Sequence, residues 1–429
     1  MKKVYLVDGV RTPYLKVRTQ RGAFSASDLA VASGRALLLR QPITPDKIDE
    51  VILGCIMPSQ DEANIARIVA LRMGCGDKVP AWTVQRNCAS GMQAIDAAMQ
   101  SINQGRSGLV FAGGTEAMSH APLIVNEALT NWFMRWSSAR KLTDKLVLLT
   151  QLRPSHLRFI IALLRGLNDP VIGLSMGQTA ENVAERFHIT RTMMDEFAVT
   201  SNQRIAAAYD DGVMDEVIPI IDGAGNVYAQ DDGLRRDSSV EKLAKLKPVF
   251  DRKFGRVTAG NSSQITDGSA SVLLANEATI KKHNLNVLAR IVDVEWAGMD
   301  PANMGLGPVH AATQLMQRHH LTLDDIDFWE INEAFAAQVL GCVAAWKDEE
   351  YCKTHLGLSK AFGELDMAKV NIDGGAIAIG HPVGSSGARI VLHLAEILRR
   401  RSATRGIATI CIGGGQGGAV LIERVDGVE

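Results

Sequence analysis

A chain of 429 residues is too long for one small core and calls for two or three domain-sized units. With 46% hydrophobic and 22% charged residues it has the balance of a globular enzyme, not of a disordered or fibrous protein. A formal net charge of −1 gives no global reason to bind nucleic acid. Along the chain, Met1-Lys2-Lys3 leads into Val4-Tyr5-Leu6-Val7-Asp8-Gly9, a short strand stopped by a turn and not a secretory core. Apolar periodicity then predicts helices over 28–39, 63–73, 90–103, 179–187, 192–209 and 388–399, with short apolar strands between them. Thr190 and Thr192 supply hydroxyl caps ahead of Asp195 and Glu196, a helix start. Strands alternating with helices indicate an α/β architecture with both sheet faces covered.

The chain carries an internal echo. Ile43-Thr44-Pro45-Asp46-Lys47-Ile48-Asp49 precedes Glu50-Val51-Ile52-Leu53-Gly54, and Leu321-Thr322-Leu323-Asp324-Asp325-Ile326-Asp327 precedes Phe328-Trp329-Glu330-Ile331-Asn332. Ala89-Ser90-Gly91 and Ser385-Ser386-Gly387 each open a helical pattern followed by a glycine-flanked strand. The matching order of several elements favours duplication over two chance β-α-β units. Two halves of one topology would set the two helix starts symmetrically around a shared centre.

Between about 121 and 249 the alternation stops. The stretch 131–167 is basic and amphipathic: Arg135, Arg140, Lys141, Lys145, Arg153, Arg158 and Arg165 stand against Asp144 alone, with Trp132, Phe133, Trp136, Leu146 and Phe159 among its apolar residues. It reads as an inserted subdomain over the active site. Such a pair of helices either lies on an anionic membrane surface, grips a partner, or is a cap packed on its own enzyme with solvated lysines and arginines. No run of some 18 apolar residues predicts a spanning helix.

The six cysteines have no metal-binding spacing and read as free thiols of a reducing, cytoplasmic compartment. Cys88 precedes the helix at 90–103, where unpaired N–H groups and the macrodipole are expected to lower its pKa. His381 lies in Gly-Gly-Ala-Ile-Ala-Ile-Gly-His-Pro-Val-Gly-Ser-Ser-Gly, a loop with little side-chain bulk, as an imidazole approached by substrate requires. Cys411 follows an apolar strand and precedes Gly413-Gly414-Gly415, whose N–H groups could form an anion-binding nest. A thiol to carry an acyl group, an imidazole to deprotonate it, and a second group to move a proton on carbon are the parts that carbon–carbon chemistry on a thioester needs.

Taken together, the chain resembles the thiolases. Cys88-Ala89-Ser90, Asn332-Glu333-Ala334-Phe335, Gly380-His381-Pro382 and Cys411-Ile412-Gly413 match in order, as do Arg11-Thr12-Pro13, Asn64-Ile65-Ala66-Arg67 and Val257-Thr258-Ala259-Gly260-Asn261-Ser262-Ser263. The resemblance implies a duplicated five-layered α-β-α-β-α core. Residues 1–120 with 250–277 would form the first half, 121–249 an inserted substrate-binding subdomain, and 278–429 the second half. It implies Cys88 as nucleophile, His381 as its base, and Cys411 as acid and base on the α-carbon. Asn332 would hold a water completing one oxyanion hole, and the N–H groups of Cys88 and Gly413 would form the other. Coenzyme A would be a substrate and no cofactor would be permanently bound. Arg235 matches an adenine-contacting arginine and Ala259 and Ser263 match pantetheine contacts, with Met176 and Phe335 also expected at the substrate.

The pattern departs in places. Relatives specialised for acetoacetyl-CoA often have His where this chain has Ser175, and those with an extended basic loop, such as the trifunctional-enzyme β subunit, commonly have His where it has Asn332. The reading is degradative thiolysis of a medium or long 3-ketoacyl-CoA in fatty-acid β-oxidation, with condensation of two acetyl-CoA as the alternative. A ketoacyl synthase shares fold and nucleophile but needs no second catalytic cysteine. A catalytically silent membrane-docking subunit is a remote alternative. The resemblance also implies a homodimer or homotetramer, and raises a hydratase/dehydrogenase partner and peripheral membrane contact through 131–167.

Overall fold

The computed structural model describes residues 2–425 together with Gly427; readings that touch Met1, Asp426, Val428 or Glu429 lie outside the described residues. Strand β1 (Val4–Arg11) leads to α1 (Ala26–Leu39), β2 (Glu50–Gly54), α2 (Ile65–Met73), β3 (Ala81–Val84), α3 (Ser90–Asn103) and β4 (Leu109–Ala117). An excursion over 118–265 carries α4 (Glu127–Ser138), α5 (Leu142–Thr150), α6 (Met176–Arg186) and α7 (Arg191–Asp210) before β5 (Thr266–Asn276). The second run is β6 (Ala289–Gly298), α8 (Gly307–Arg318), β7 (Phe328–Ile331), α9 (Ala336–Lys347), α10 (Val383–Arg401), β8 (Arg405–Ile412) and β9 (Gln416–Arg424).

The two runs repeat one topology. In the first, β2 lies parallel to β3 and β4, β4 antiparallel to β5, and β5 antiparallel to β1. In the second, β7 is parallel to β8, β8 antiparallel to β9, and β9 antiparallel to β6. A parallel bridge between Trp329 and Val370 stands where β2 meets β3 in the first run. Val4, Tyr5 and Leu6 of β1 pair with Ile291, Arg290 and Ala289 of β6, so the half-sheets join into one continuous sheet.

Because side chains alternate along a strand, each half-sheet buries both faces. Leu29 and Leu37 of α1 and Val69 of α2 pack on Val51, Phe111 and Leu273. The opposite face, with Ile52, Val110 and Val272, meets α3 and α10, whose other side meets Ala408, Ile410, Val420 and Ile422. Beyond these, Ile407, Ala419 and Leu421 pack on α8 and α9. The result is five layers, α-β-α-β-α, with α3 and α10 in the middle; α10 is buried on all sides from Val383 to Leu398.

Local differences from the sequence reading have simple causes. Helix α10 begins at Val383, ahead of the expected 388, because Gly384 and Gly387 lie inside the helix despite their poor helix propensity. In α7 the acids are not in the first turn: Thr190 accepts from the Met193 N–H, and Asp195 pairs with Arg191 at 2.7 Å. The basic stretch gives α4 and α5, but its end forms a strand, Phe159–Ile161, paired with Leu123–Val125, and a one-turn helix, Ala162–Gly166. Trp132 closes the α4–α5 hairpin on Leu129 and Leu148, its Nε1 donating to the Leu148 carbonyl at 2.8 Å. Among the described residues no helix is long and apolar enough to cross a membrane.

The excursion is tied to the core by buried charge. Arg11 donates to both carboxylate oxygens of Asp231, at 2.7 and 2.8 Å. Glu216 accepts from His393 Nδ1 on α10 at 2.9 Å. Burial opposes the charged form of His393, yet Glu216 and Asp373 hold its pKa up at about 10.

The central helices touch through glycine. A Cβ on Gly91 would lie 2.9 Å from the Ala388 nitrogen, and one on Gly387 would lie 2.7 Å from the Met92 nitrogen. The contact is reciprocal, as the sequence echo requires. Gly387→Ala should therefore lower stability by about 1–3 kcal/mol, as overpacking does. The check is a urea midpoint that falls at constant m-value; an unchanged midpoint would show that the helices separate freely.

Candidate active site

Cys88 stands on a sharp turn between β3 and α3. Asn87, just before it, has φ of 43°, a left-handed conformation that asparagine tolerates better than most residues. Ser90 staples the turn: its Oγ donates to the Asn87 carbonyl at 2.7 Å and accepts from the Arg86 N–H at 2.8 Å. Asn87 Nδ2 donates to the Gly413 carbonyl at 2.8 Å, tying this turn to the glycine turn between β8 and β9. Cys88 lies ahead of the N-cap Ala89, and the expected lowering of its pKa is not found. Burial pushes the thiol up, with only a hydrogen bond from the Gly413 N–H and its own backbone pulling the other way.

His381 enters from the loop before α10. Gly380 has φ of 101°, and a Cβ there would strike Thr266 at 2.2 Å. The His381 N–H donates to the Gln264 carbonyl at 2.9 Å. Nδ1 lies 2.6 Å from Ser386 Oγ, whose hydroxyl donates to the Pro382 carbonyl at 3.1 Å. With that proton committed, Nδ1 carries the ring hydrogen and Nε2 is a bare lone pair. Nε2 is buried without a protein partner. Burial, then the charge of Arg389, pushes the imidazole pKa down to about 3.

Cys411 ends β8 and is buried. Its thiol lies well above the ordinary range, first from burial and then from the nearness of Cys88. The turn beyond it is glycine of necessity: Gly414 and Gly415 have φ of 89° and 78°, and a Cβ on Gly415 would lie 2.3 Å from the Met299 carbonyl.

One cleft of about 670 Å³ is lined by Cys88, His381 and Cys411, and also by Met176, Arg235, Ala259, Ser263 and Phe335. Asn332 and Gly413 are not among the lining residues, although the Gly413 N–H reaches the Cys88 sulfur. Asn332 is fully buried and its Nδ2 has no protein partner. Cys88 adjoins an apolar cluster of Val17, Met118, Leu163, Leu167, Ile265 and Val383. Cys411 adjoins a second one, with Met176, Phe250 and Phe335. Lys16 and Arg235 share the cleft, and burial followed by the charges of Arg235 and Arg18 lowers the Lys16 pKa, so this part of the wall is electropositive.

Other motif residues hold these parts in place. Glu333 accepts from Ser201 Oγ, Asn371 Nδ2 and the Ile377 N–H, fixing the approach to His381. Glu116 accepts from the Ile56, Met57 and Gly384 N–H groups, and burial raises its pKa to about 7. Asn261 accepts from the Thr258 N–H and donates to Asp195, shaping the loop that carries Ala259 and Ser263. Arg67 donates to the Val79 and Asp77 carbonyls. Ser175 caps α6 in a reciprocal box with Gln178. Sequence reasoning missed Asn87, Lys16, Ser386 and Arg389 as site residues. Ser386 sits inside a quoted motif and Asn87 directly precedes Cys88, whereas nothing local flags Lys16 or Arg389.

Comparison with known proteins gives concordant results. The family model described as thiolase, N-terminal domain, matches residues 4–278, and that described as thiolase, C-terminal domain, matches 285–424. The mitochondrial 3-ketoacyl-CoA thiolase of Homo sapiens is 37% identical over 99% of this chain and 98% of its own length. A probable acetyl-CoA acetyltransferase of Escherichia coli K12 is 38% identical over 99% of this chain and 100% of its own. The crystal structure of human mitochondrial 3-ketoacyl-CoA thiolase in complex with CoA superposes with a TM-score of 0.85 at 36% identity, covering 99% of this chain and 98% of that one.

An imidazole held down at about 3 stays an unprotonated base across the neutral range. The rate of Cys88 acylation should show no imidazole ionisation between about pH 5 and pH 8. A rapid-quench pH profile checks this; an inflection near 6.5, the ordinary imidazole value, would mean that the ring is solvated.

Proposed function

The chain belongs to the thiolase family, and we propose that it cleaves 3-ketoacyl-CoA with CoA to acetyl-CoA and a shortened acyl-CoA. The observation that carries this reading is the meeting of Cys88, His381 and Cys411 on one cleft. In the proposed cycle, His381 Nε2 takes the Cys88 proton and the sulfur attacks the 3-keto carbon. The N–H groups of Cys88 and Gly413 receive the oxyanion. The C2–C3 bond then breaks, leaving the acyl group on Cys88 and acetyl-CoA as its enolate. The proton that Nε2 has taken becomes a hydrogen bond to the thioester oxygen, completed by a water on Asn332. Cys411, kept as a thiol by burial, donates its proton to the α-carbon. The Cys411 thiolate so formed takes the proton of the CoA thiol, the CoA sulfur attacks the acyl-Cys88 thioester, and Cys88 leaves as a thiolate that recovers its proton from His381.

The two clusters support a division of the cleft. The apolar residues beside Cys88, with Leu167 from the excursion among them, suit an acyl chain longer than acetyl. Met176, Phe335, Ala259 and Ser263 suit pantetheine, and Arg235 with Lys16 suits the anionic end of CoA. Condensation of two acetyl-CoA is the same chemistry reversed, and metabolite supply sets its direction. Chain length is the point at which the Cys88 cluster favours degradation of longer substrates. In this reading CoA is substrate, and the compartment is reducing and cytoplasmic, as six unpaired cysteines suit.

For assembly, we read the chain as at least a homodimer. β3 ends the sheet with one unpaired edge, and Trp82 on it is 40% exposed, which suits pairing with a second copy. A hydratase/dehydrogenase partner rests on the family resemblance alone. Peripheral membrane contact is supported by the α4–α5 hairpin, where Phe133, Met134, Leu142, Leu146 and Val147 are exposed among Arg135, Arg140, Lys141 and Lys145.

Cys88→Ala should abolish cleavage of acetoacetyl-CoA and of longer 3-ketoacyl-CoA alike. In a chain-length series, kcat/KM should rise beyond acetoacetyl-CoA, and Leu167→Trp should flatten that rise while sparing acetoacetyl-CoA. A series that falls from the shortest substrate onward would favour the acetyltransferase reading. Sedimentation with vesicles containing phosphatidylserine should retain the protein at low salt and release it as salt rises. Equal recovery from neutral and anionic vesicles would sink the membrane contact.

A further inference from the structure

Resting on the thiolase reading of this site, we propose that Arg389 of α10, pinned by Glu330 of β7, is a positioning residue that locks the amide of Asn332 with its NH2 end free for the site water. Glu330 and Asn332 are two residues apart, so their side chains share one face of the β7 line. Trp329 and Ile331 pack into the outer layer on the other face, which turns Glu330 and Asn332 toward α10. There Arg389 Nη1 donates to Glu330 Oε2 at 2.9 Å, with the two side chains 3% and 1% exposed. Its Nη2 reaches Asn332 Oδ1 at 3.5 Å.

The chemistry of the groups decides the orientation. A guanidinium has donors and no acceptor, so it must face the oxygen end of the amide. A flipped Asn332 would set NH2 against guanidinium, two donors face to face with neither able to accept. In the orientation held by Arg389, Nδ2 is left as a buried donor with no protein partner. Such a group needs an acceptor, and a water fixed there can turn its own hydrogens on the thioester oxygen. Replacing Arg389 by lysine keeps the charge but loses the fork that spans Glu330 and Asn332 together.

The test separates two half-reactions of the full-length protein. Acetylation of Cys88 by acetyl-CoA, followed by intact mass spectrometry, relies on the N–H groups of Cys88 and Gly413. Cleavage of acetoacetyl-CoA also requires the enolate that the Asn332 water stabilises. Arg389→Lys should lower kcat for cleavage by about tenfold to a hundredfold, short of a whole oxyanion donor, with KM and the acetylation rate changed less than about threefold. Glu330→Gln, which keeps the shape, should give the same split more weakly, and it carries the test if the lysine variant does not fold. Equal loss of both half-reactions, or loss of neither, would overturn the inference alone. Failure of the unaltered protein to acetylate Cys88 would overturn the thiolase reading and the inference with it.

Discussion

The site depends on how closely α3 and α10 approach. Each presents a glycine to the backbone of the other, Gly91 to Ala388 and Gly387 to Met92, with no room for a Cβ at either point. Any side chain there would part the helices, and with them the loops that immediately precede them. Those loops carry Cys88 and His381. Cys88 and His381, from opposite halves of the chain, therefore meet on one cleft because two helix starts are held at backbone distance. The half-sheets that clamp the helices add the rest of the constraint, packing Val110 and Val272 on one side and Ile410 and Val420 on the other.

Burial then sets the protonation states. A solvated Cys–His pair would let imidazole and thiol titrate near their ordinary values of about 6.5 and 8.5. Here the same desolvation keeps both sulfurs as thiols and the imidazole as free base. In the proposed cycle the ion pair forms as substrate is attacked, and the Gly413 N–H, already bonded to the Cys88 sulfur, is placed to receive negative charge. Fixed N–H donors cost no reorganisation at that moment, which is where a dry site gains over water. In the proposed cycle Cys411 must still hold its proton when the enolate forms, and a thiol raised by burial stays protonated across the neutral range. Asn87 links the two turns directly and holds Gly413 beside Cys88.

Much of this was legible in the sequence because it rests on local rules. Glycine around His381 and after Cys411 marks backbone with little room, and both regions contain residues at positive φ. The echo of turn and strand at 43–54 and 321–332 corresponds to β2 and β7, which hold equivalent places in the two half-sheets. What was not legible depends on long-range burial. The helix-start argument for a lowered Cys88 pKa counts N–H groups but cannot count the layers that remove water. The Arg389–Glu330 pair is equally silent, since arginine and glutamate some sixty positions apart look like solvated surface until β7 and α10 stack. The start of α10 was missed for a related reason: its glycines lower local helix propensity, and only tertiary packing repays them.

The two halves share a topology but not a connection, and that asymmetry is where one fold acquires a reaction. Between β8 and β9 the chain turns through Gly413, Gly414 and Gly415; between the equivalent β4 and β5 it leaves for the whole of 118–265. The tight glycine turn brings the Gly413 N–H to the Cys88 sulfur, a backbone donor that selects nothing by side-chain shape. The long excursion brings side chains instead: Leu163 and Leu167 beside Cys88, Met176 beside Cys411, Arg235 farther along the same cleft. Buried charge anchors it to the core. Arg11 holds Asp231, and Glu216 is shared with His393 on the central helix. Breaking either contact would strand an ion away from water, a larger loss than the pair itself contributes. The α4–α5 hairpin closes on a small cluster of its own, formed by Leu129, Trp132 and Leu148.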